Sequence, residues 1–256
     1  MAFSFVVLGD VLCVLCDIVV SSVTILNLLQ LCDSLFPIGS FAYSDGLESA
    51  TSTALVRDLD GLREWLDVCL DEGIGRSDGP ALAIAWSAFH DADWDAFTAV
   101  DEELTALRPS STVRMANRSM GWRLLKTWQA LHPDERLEHA LELAARPTSP
   151  GGPALPVSFA AVSVCAGIHR RDALAGYAYT RLGATVSAAM RLMALGQTDA
   201  HQLLSRVLGR VPDTVEDVIA RNRPIESFAP ALDVAQMTQQ YVHSRLFRSR
   251  AAFEDV

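Results

Sequence analysis

The densest run of potential ligands in the chain is Asp91-Ala92-Asp93-Trp94-Asp95, with Glu102 further along. These acids match positions 1, 3, 5 and 12 of a calcium-binding loop, in which alternate side-chain oxygens converge on a hard cation. Such a loop needs glycine for the sharp turn at its sixth position, but Ala96 stands there and the residues after it repeat with a helical period. The acids therefore read as helix caps. The alternative is an all-helical metal-dependent hydrolase or lyase built on Asp91, Asp93 and Asp95. It would need a second acidic cluster on a facing helix, and Asp101, Glu102 and Glu103 belong to the same helix. Cys13-Val14-Leu15-Cys16 has the spacing of redox and zinc pairs, yet no second pair or Cys/His knuckle completes a site. The histidines at 90, 132, 139, 169, 201 and 243 form no close helical pair, so no preformed metal cage is legible. Lys126 is the only lysine and follows Leu125 rather than glycine, which excludes a phosphate-binding loop and hence a P-loop GTPase. An isolated Ser or Asp in a helical bundle gives no triad. The expectation is a chain that is not an enzyme, with no catalytic residue, no resident metal and no cofactor.

Composition points the same way. Half of the 256 residues are hydrophobic and only 20% are charged, more apolar surface than a lone domain needs to bury. Some of it is expected to meet a protein partner. A net charge of −10 excludes the clustered positive charge of a nucleic-acid footprint. Five cysteines form an odd set without disulfide-framework spacing, which fits a reducing, cytoplasmic setting. The first 27 residues are strongly apolar, and no Lys or Arg precedes Arg57, so the positive region of a secretory signal is missing. A spanning helix would bury Asp17 near its middle at a cost of roughly 3 kcal/mol. The segment reads as an extra helix or, preferably, an upstream start. A peripheral membrane anchor is the remaining alternative, and no membrane contact is expected.

The elements that would position any site are helices throughout. Leu62, Trp65, Leu66, Cys69 and Leu70 share one face, with Asp60 placed to cap and Gly73 and Gly75 placed to stop. Further helices are expected over 80–90, 94–107, 110–131 and 134–145, and Pro147 to Pro156 should form a loop between two halves of the bundle. Val157–Gly167 and Asp172–Leu195 form a small-residue central hairpin, Gly196 takes a left-handed terminal position, and Asp199 with Gln202 caps the next helix. Another cap is expected at Asp213, after Pro212. The class is all-α: a single bundle-like domain of about ten helices with a C-terminal interaction tail. Its bounds are drawn at 1–27 for the apolar extension, 28–224 for the domain and 225–256 for the tail.

Three stretches stand out. The first runs from Leu28 to Glu48, where Pro37 ends a helix and Gly39 opens a loop bearing Phe41 and Tyr43. It closes on Asp45-Gly46-Leu47-Glu48, read as a capping box. The second is Arg191 to Leu204, which presents Gln197 and Thr198 at a corner. The third runs from Leu232 to Ser249, an amphipathic run through Phe247 whose aromatics, with Arg245 and Arg248, have the composition of interface anchors. It is expected to extend from the bundle and order against a partner.

In this order the three stretches resemble the urease accessory protein UreF family, and the resemblance spans about Leu28 to Arg250. It implies a helical, typically dimeric protein. Such a protein bridges a UreD/UreH-type accessory protein and a UreG-type GTPase and assists nickel delivery to apo-urease. It also implies contact roles for Tyr43, Asp45, Glu48, Gln197, Asp199, Ser244, Arg245, Phe247 and Arg248, to which Phe41 is added as the loop's other aromatic.

Overall fold

The computed structural model describes residues 22–145, 151–221, 224–242 and 246–247. Among them every regular element is helical and there is no strand. Residues 22–32 form α1, followed by Leu47–Ser52 (α2), Leu59–Val68 (α3), Gly79–His90 (α4), Trp94–Leu107 (α5), Ser111–Leu131 (α6) and Glu135–Ala144 (α7). Leu155–Cys165 (α8), Arg170–Leu192 (α9), Gln197–Leu208 (α10), Val211–Arg221 (α11) and Pro230–Thr238 (α12) complete the set. None of the described helices is long and apolar enough to cross a membrane. Cys13, Cys16 and the loop residues 147–150 lie outside the described residues.

The core is organised around α8, in which all ten residues from Leu155 to Val164 are buried. A helix apolar on every side has to be covered on every side. Here α4 and α6 supply the main walls and α9 closes the hairpin. Burial leaves the first N–H groups of α8 without water, so they need protein acceptors. The Ala154 N–H donates to Asp101 Oδ1 at 2.6 Å and the Leu155 N–H to Asn117 Oδ1 at 2.9 Å. Burial raises the Asp101 carboxyl above its ordinary range, and Arg118, 3.2 Å away, opposes that rise. A Cβ on Gly121 of α6 would lie 2.1 Å from the Pro153 carbonyl oxygen, so only glycine allows α6 so close to the entry of α8.

Four expected helix boundaries are corrected. Gly73 and Gly75 do not stop the helix: the chain runs from α3 into α4 through a wide π-type segment, Cys69–Asp78. Pro80 has no N–H for the Arg76 carbonyl four residues earlier, and that carbonyl instead accepts the Glu226 N–H at 2.9 Å. The cap of α3 is Asp58, which accepts from the Gly61 N–H at 2.9 Å, rather than Asp60. α11 begins at Val211, with Pro212 inside its first turn, instead of after it. The last amphipathic run is helical only to Thr238, followed by a single tight turn over Gln239–Tyr241. The boundary drawn at residue 28 falls inside α1, whose Asn27 Nδ2 donates to Ala166 O at 3.1 Å.

The π-type segment and the first residue of α4 hold Gly75-Arg76-Ser77-Asp78-Gly79, a Gly-x-Ser-x-Gly match that reading the sequence overlooked. A nucleophile elbow presents its serine on a sharp strand-to-helix turn. Ser77 is buried within helical backbone, with no strand before it, so the pattern is coincidental.

Asp134, expected as the first residue of a helix, is the cap of α7, accepting the Arg136 N–H at 2.8 Å and the Arg136 guanidinium at 2.9 and 3.2 Å. The Arg136 hydrogen bond holds its carboxyl at about 2. A depressed carboxyl stabilises the fold above its unfolded pKa of ~3.9, and that contribution fades as pH falls toward the folded value. Asp134→Ala is therefore expected to cost about 1 kcal/mol at pH 7, and thermal melts should show its deficit shrinking between about pH 4 and pH 2.

Candidate partner-binding site

The first and third stretches meet in space, and one end of the second reaches the same place. In the loop, Gly39 and Gly46 have positive φ (76° and 92°), as does Asp45 (48°). Gly46 is also in close contact, since a Cβ there would lie 2.9 Å from the Gln236 backbone nitrogen of α12. The Gly46 N–H donates to Gln239 Oε1 at 2.9 Å, and Gln239 Nε2 donates to Ser44 Oγ at 3.1 Å. Ser49 and Thr238 hydroxyls stand 2.8 Å apart beside them. The corner at residues 44–49 is thus closed by side chains from the other end of the chain.

The expected capping box at Asp45 and Glu48 does not form. α2 starts after Gly46 with no side-chain cap, and the Glu48 N–H is directed at Ser44 Oγ. Asp45 instead pairs with Arg181 of α9, whose guanidinium burial pulls down to about 10. A buried guanidinium demands an anion, and that tertiary demand outweighs the local cap. Glu48 is itself buried, with Oε1 accepting the Leu246 N–H at 2.5 Å and Oε2 without a partner among the described residues.

Among the predicted contact residues, Phe41 is 67% exposed while Tyr43 and Phe247 are buried. Phe247 packs into the core with the Arg191 guanidinium 4.3 Å from its ring centre, and the same Arg191 donates to Phe41 O at 3.1 Å. The expectation of a free aromatic anchor at Phe247 gives way to a side chain folded on its own bundle. Ser244, Arg245 and Arg248 lie outside the described residues. Gln197 and Asp199 are exposed in the first turn of α10, apart from this cluster. Gly196 is extended (φ −68°, ψ 147°) rather than left-handed, and Asp199 lies in the third position of α10, so the predicted capping box with Gln202 is absent.

Reading the sequence missed Arg181, Arg191 and Gln239 as the residues that assemble the site. Two signals were there: an arginine inside the apolar α9 has to find an acid, and Gln239 continues the inward spacing of Leu232 and Ala235.

Little here suits catalysis. Among the described residues no group of three His, Cys, Asp or Glu side chains comes together around a metal position. Asp93 caps α5 through the Ala96 N–H at 3.0 Å, as the helix-cap reading expected. Burial pushes the Cys32, Cys69 and Cys165 thiols up to about 12, which disfavours the thiolate needed for nucleophile or ligand work. A cavity of about 80 Å³ lies between the π-type segment, α9 and α12, well below the ~300 Å³ of a small-molecule site. Its Arg108 and Asp78 pair with each other, and Tyr177 Oη donates to Asp78 at 2.6 Å.

The UreF family profile matches residues 56–208, from just before α3 through α10. The chain belongs to the UreF family. The urease accessory protein UreF of Lachnoclostridium phytofermentans is 30% identical over 228 residues, covering 88% of this chain and 98% of that protein. UreF of Methylobacillus flagellatus is 31% identical over 230 residues, with coverage of 88% and 98%. UreF of Chromohalobacter salexigens is 30% identical over 224 residues, with coverage of 87% and 94%. The family resemblance read from three short stretches thus extends along most of the chain. The loop at 39–48 and α12 fall outside the profile match, although both pack on the UreF-family helices.

Gln239→Leu keeps the bulk but strips the Gly46 N–H of its buried acceptor. Loss of such a partner costs about 2 kcal/mol, so urea unfolding should show the midpoint falling at unchanged slope.

Proposed function

We propose that the chain is a non-catalytic scaffold for urease maturation. In this reading it works as a cytoplasmic homodimer that joins a UreD/UreH-type accessory protein to a UreG-type GTPase and so assists nickel insertion into apo-urease. Nickel is cargo for that assembly. Membership of the UreF family supports involvement with other urease accessory proteins, and the relatives' shared name supports a role outside catalysis.

The observation that carries the interface is the surface of α12. Its inward face sets Leu232 and Ala235 into the core, with Gln239 following in the next turn. Its outward face is also apolar: Val234 is 58% exposed, Met237 46% and Tyr241, in the following turn, 74%. A helix that is apolar on both faces calls for cover on both. Phe228 and Leu246 add exposed apolar surface nearby in the chain, and Phe41 lies across Arg191 from the tail. We assign this face to the UreD/UreH-type partner. The exposed Gln197 and Asp199 corner on α10 is available for a different contact, the GTPase.

Truncating an aromatic anchor at the centre of an interface costs ~2 kcal/mol or more, about thirtyfold in affinity. Val234→Asp with Tyr241→Ser should abolish copurification with the UreD/UreH-type protein and urease activation in cells expressing the full gene set. Melting should barely change, because both side chains are exposed. Full copurification by the folded double variant would remove this face from the interface.

A further inference from the structure

The run from Arg108 to Pro133 carries five Arg and Lys side chains and no acid, in a chain of net charge −10. Two of the five are used inside the fold, where Arg108 pairs with Asp78 and Arg118 with Asp101. The other three meet no carboxylate among the described residues. Arg114 Nη1 donates to the Arg108 and Pro109 carbonyls, Arg123 Nη1 donates to Ile38 O at 3.4 Å, and Lys126 Nζ stands 5.7 Å from the Trp122 ring centre. A carbonyl or a ring face orients a cation without neutralising its charge. Met115, Ser119, Trp122 and Lys126 follow one another at spacings of four, three and four, which sets them in one line along α6. Met115 and Lys126 are exposed, and Trp122 is half-buried with Gly152 at its back.

We infer that this outward line of α6 is a docking surface for an acidic, partly apolar segment of the protein that covers α12. The inference rests on the assignment of the α12 face and extends it along α6. Position is the first support. Ser110, the cap of α6, donates its Oγ to Gln236 O of α12 at 3.2 Å, and Arg123 reaches Ile38 beside the aromatic loop. The line therefore runs between the two parts of the assigned face. Charge sets the occupant: carboxylates would answer Arg114, Arg123 and Lys126, and an apolar side chain between them would cover Met115 and Trp122. Trp, Met and Arg are the residue types enriched at protein interfaces. Three cations interrupted by Met115 and Trp122 are too few to track a nucleic-acid backbone.

Lys126 is the only lysine, so a carbodiimide that joins an amine directly to a contacting carboxylate can act from one side-chain position of this chain. The full chain would be treated in complex with the purified UreD/UreH-type protein, and the linked peptides read by mass spectrometry. A link from Lys126 to an Asp or Glu of that protein is expected. Lys126→Arg should lose the link and keep parent affinity, because it keeps the charge. Lys126→Glu, at an exposed position, should bind about tenfold more weakly at unchanged melting temperature, with the deficit shrinking as salt rises. Parent-like affinity of Lys126→Glu together with no link in the parent complex would overturn the inference and leave the α12 assignment standing. A link only to a second copy of the chain would overturn it too. So would loss of binding to phosphatidylserine vesicles in Lys126→Glu with the protein complex unaffected, which would move the surface to lipid. Failure of the parent to bind the UreD/UreH-type protein at all would remove both readings.

Discussion

The interaction on which the rest depends is the capping of α8 inside the protein. An interior helix brings its own unpaired N–H groups into a place without water, and a side-chain acceptor must arrive with each. Asp101 from α5 and Asn117 from α6 do this at 2.6 and 2.9 Å, and Arg118 sits against Asp101 to keep a buried carboxylate tolerable. These contacts set where α5 and α6 lie relative to α8. Gly121 then lets α6 close on the loop that enters it. Removing one partner of such a pair leaves the other buried and unpaired, which is why this corner tolerates little change.

From that core the geometry propagates outward along the backbone. Pro80 in the first turn of α4 leaves the Arg76 carbonyl without its usual donor, and the Glu226 N–H takes the vacant place. The chain after α11 is thereby tied to the wide turn before α4, and α12 follows onto α2 and α6. There Gln239 closes the corner at Gly46, and Arg181 and Arg191 of the central hairpin reach Asp45 and Phe41 from the other side. The candidate site is an assembly of the two ends of the chain on one long helix, beside a cavity of only about 80 Å³.

The helices from α5 to α9 were legible because their ends are written in local chemistry. Asp93, Ser110 and Asp134 accept from backbone N–H groups of the turns that follow them, and prolines mark several of the breaks. Tertiary contacts decided the places where local chemistry misled. Gly73 and Gly75 looked like a stop, but a wide turn with a long-range backbone bond carries the helix through. Asp45 had the spacing of a cap but answers to buried Arg181, and Glu48 answers to the tail. The family-like stretches were readable from residue types alone. Their convergence was not, because nothing in the order of residues says that Gln239 will meet Gly46.

The aromatic loop and the outward face of α12 are proposed to act as one partner-binding surface. Hydrogen exchange of the chain alone and in complex with a UreD/UreH-type protein tests it most directly. Added protection is expected to concentrate in residues 39–47 and 230–242, with α5 and α7 unchanged. Protection confined to the α10 corner around Gln197 and Asp199, with the loop and α12 exchanging as in the free chain, would contradict it.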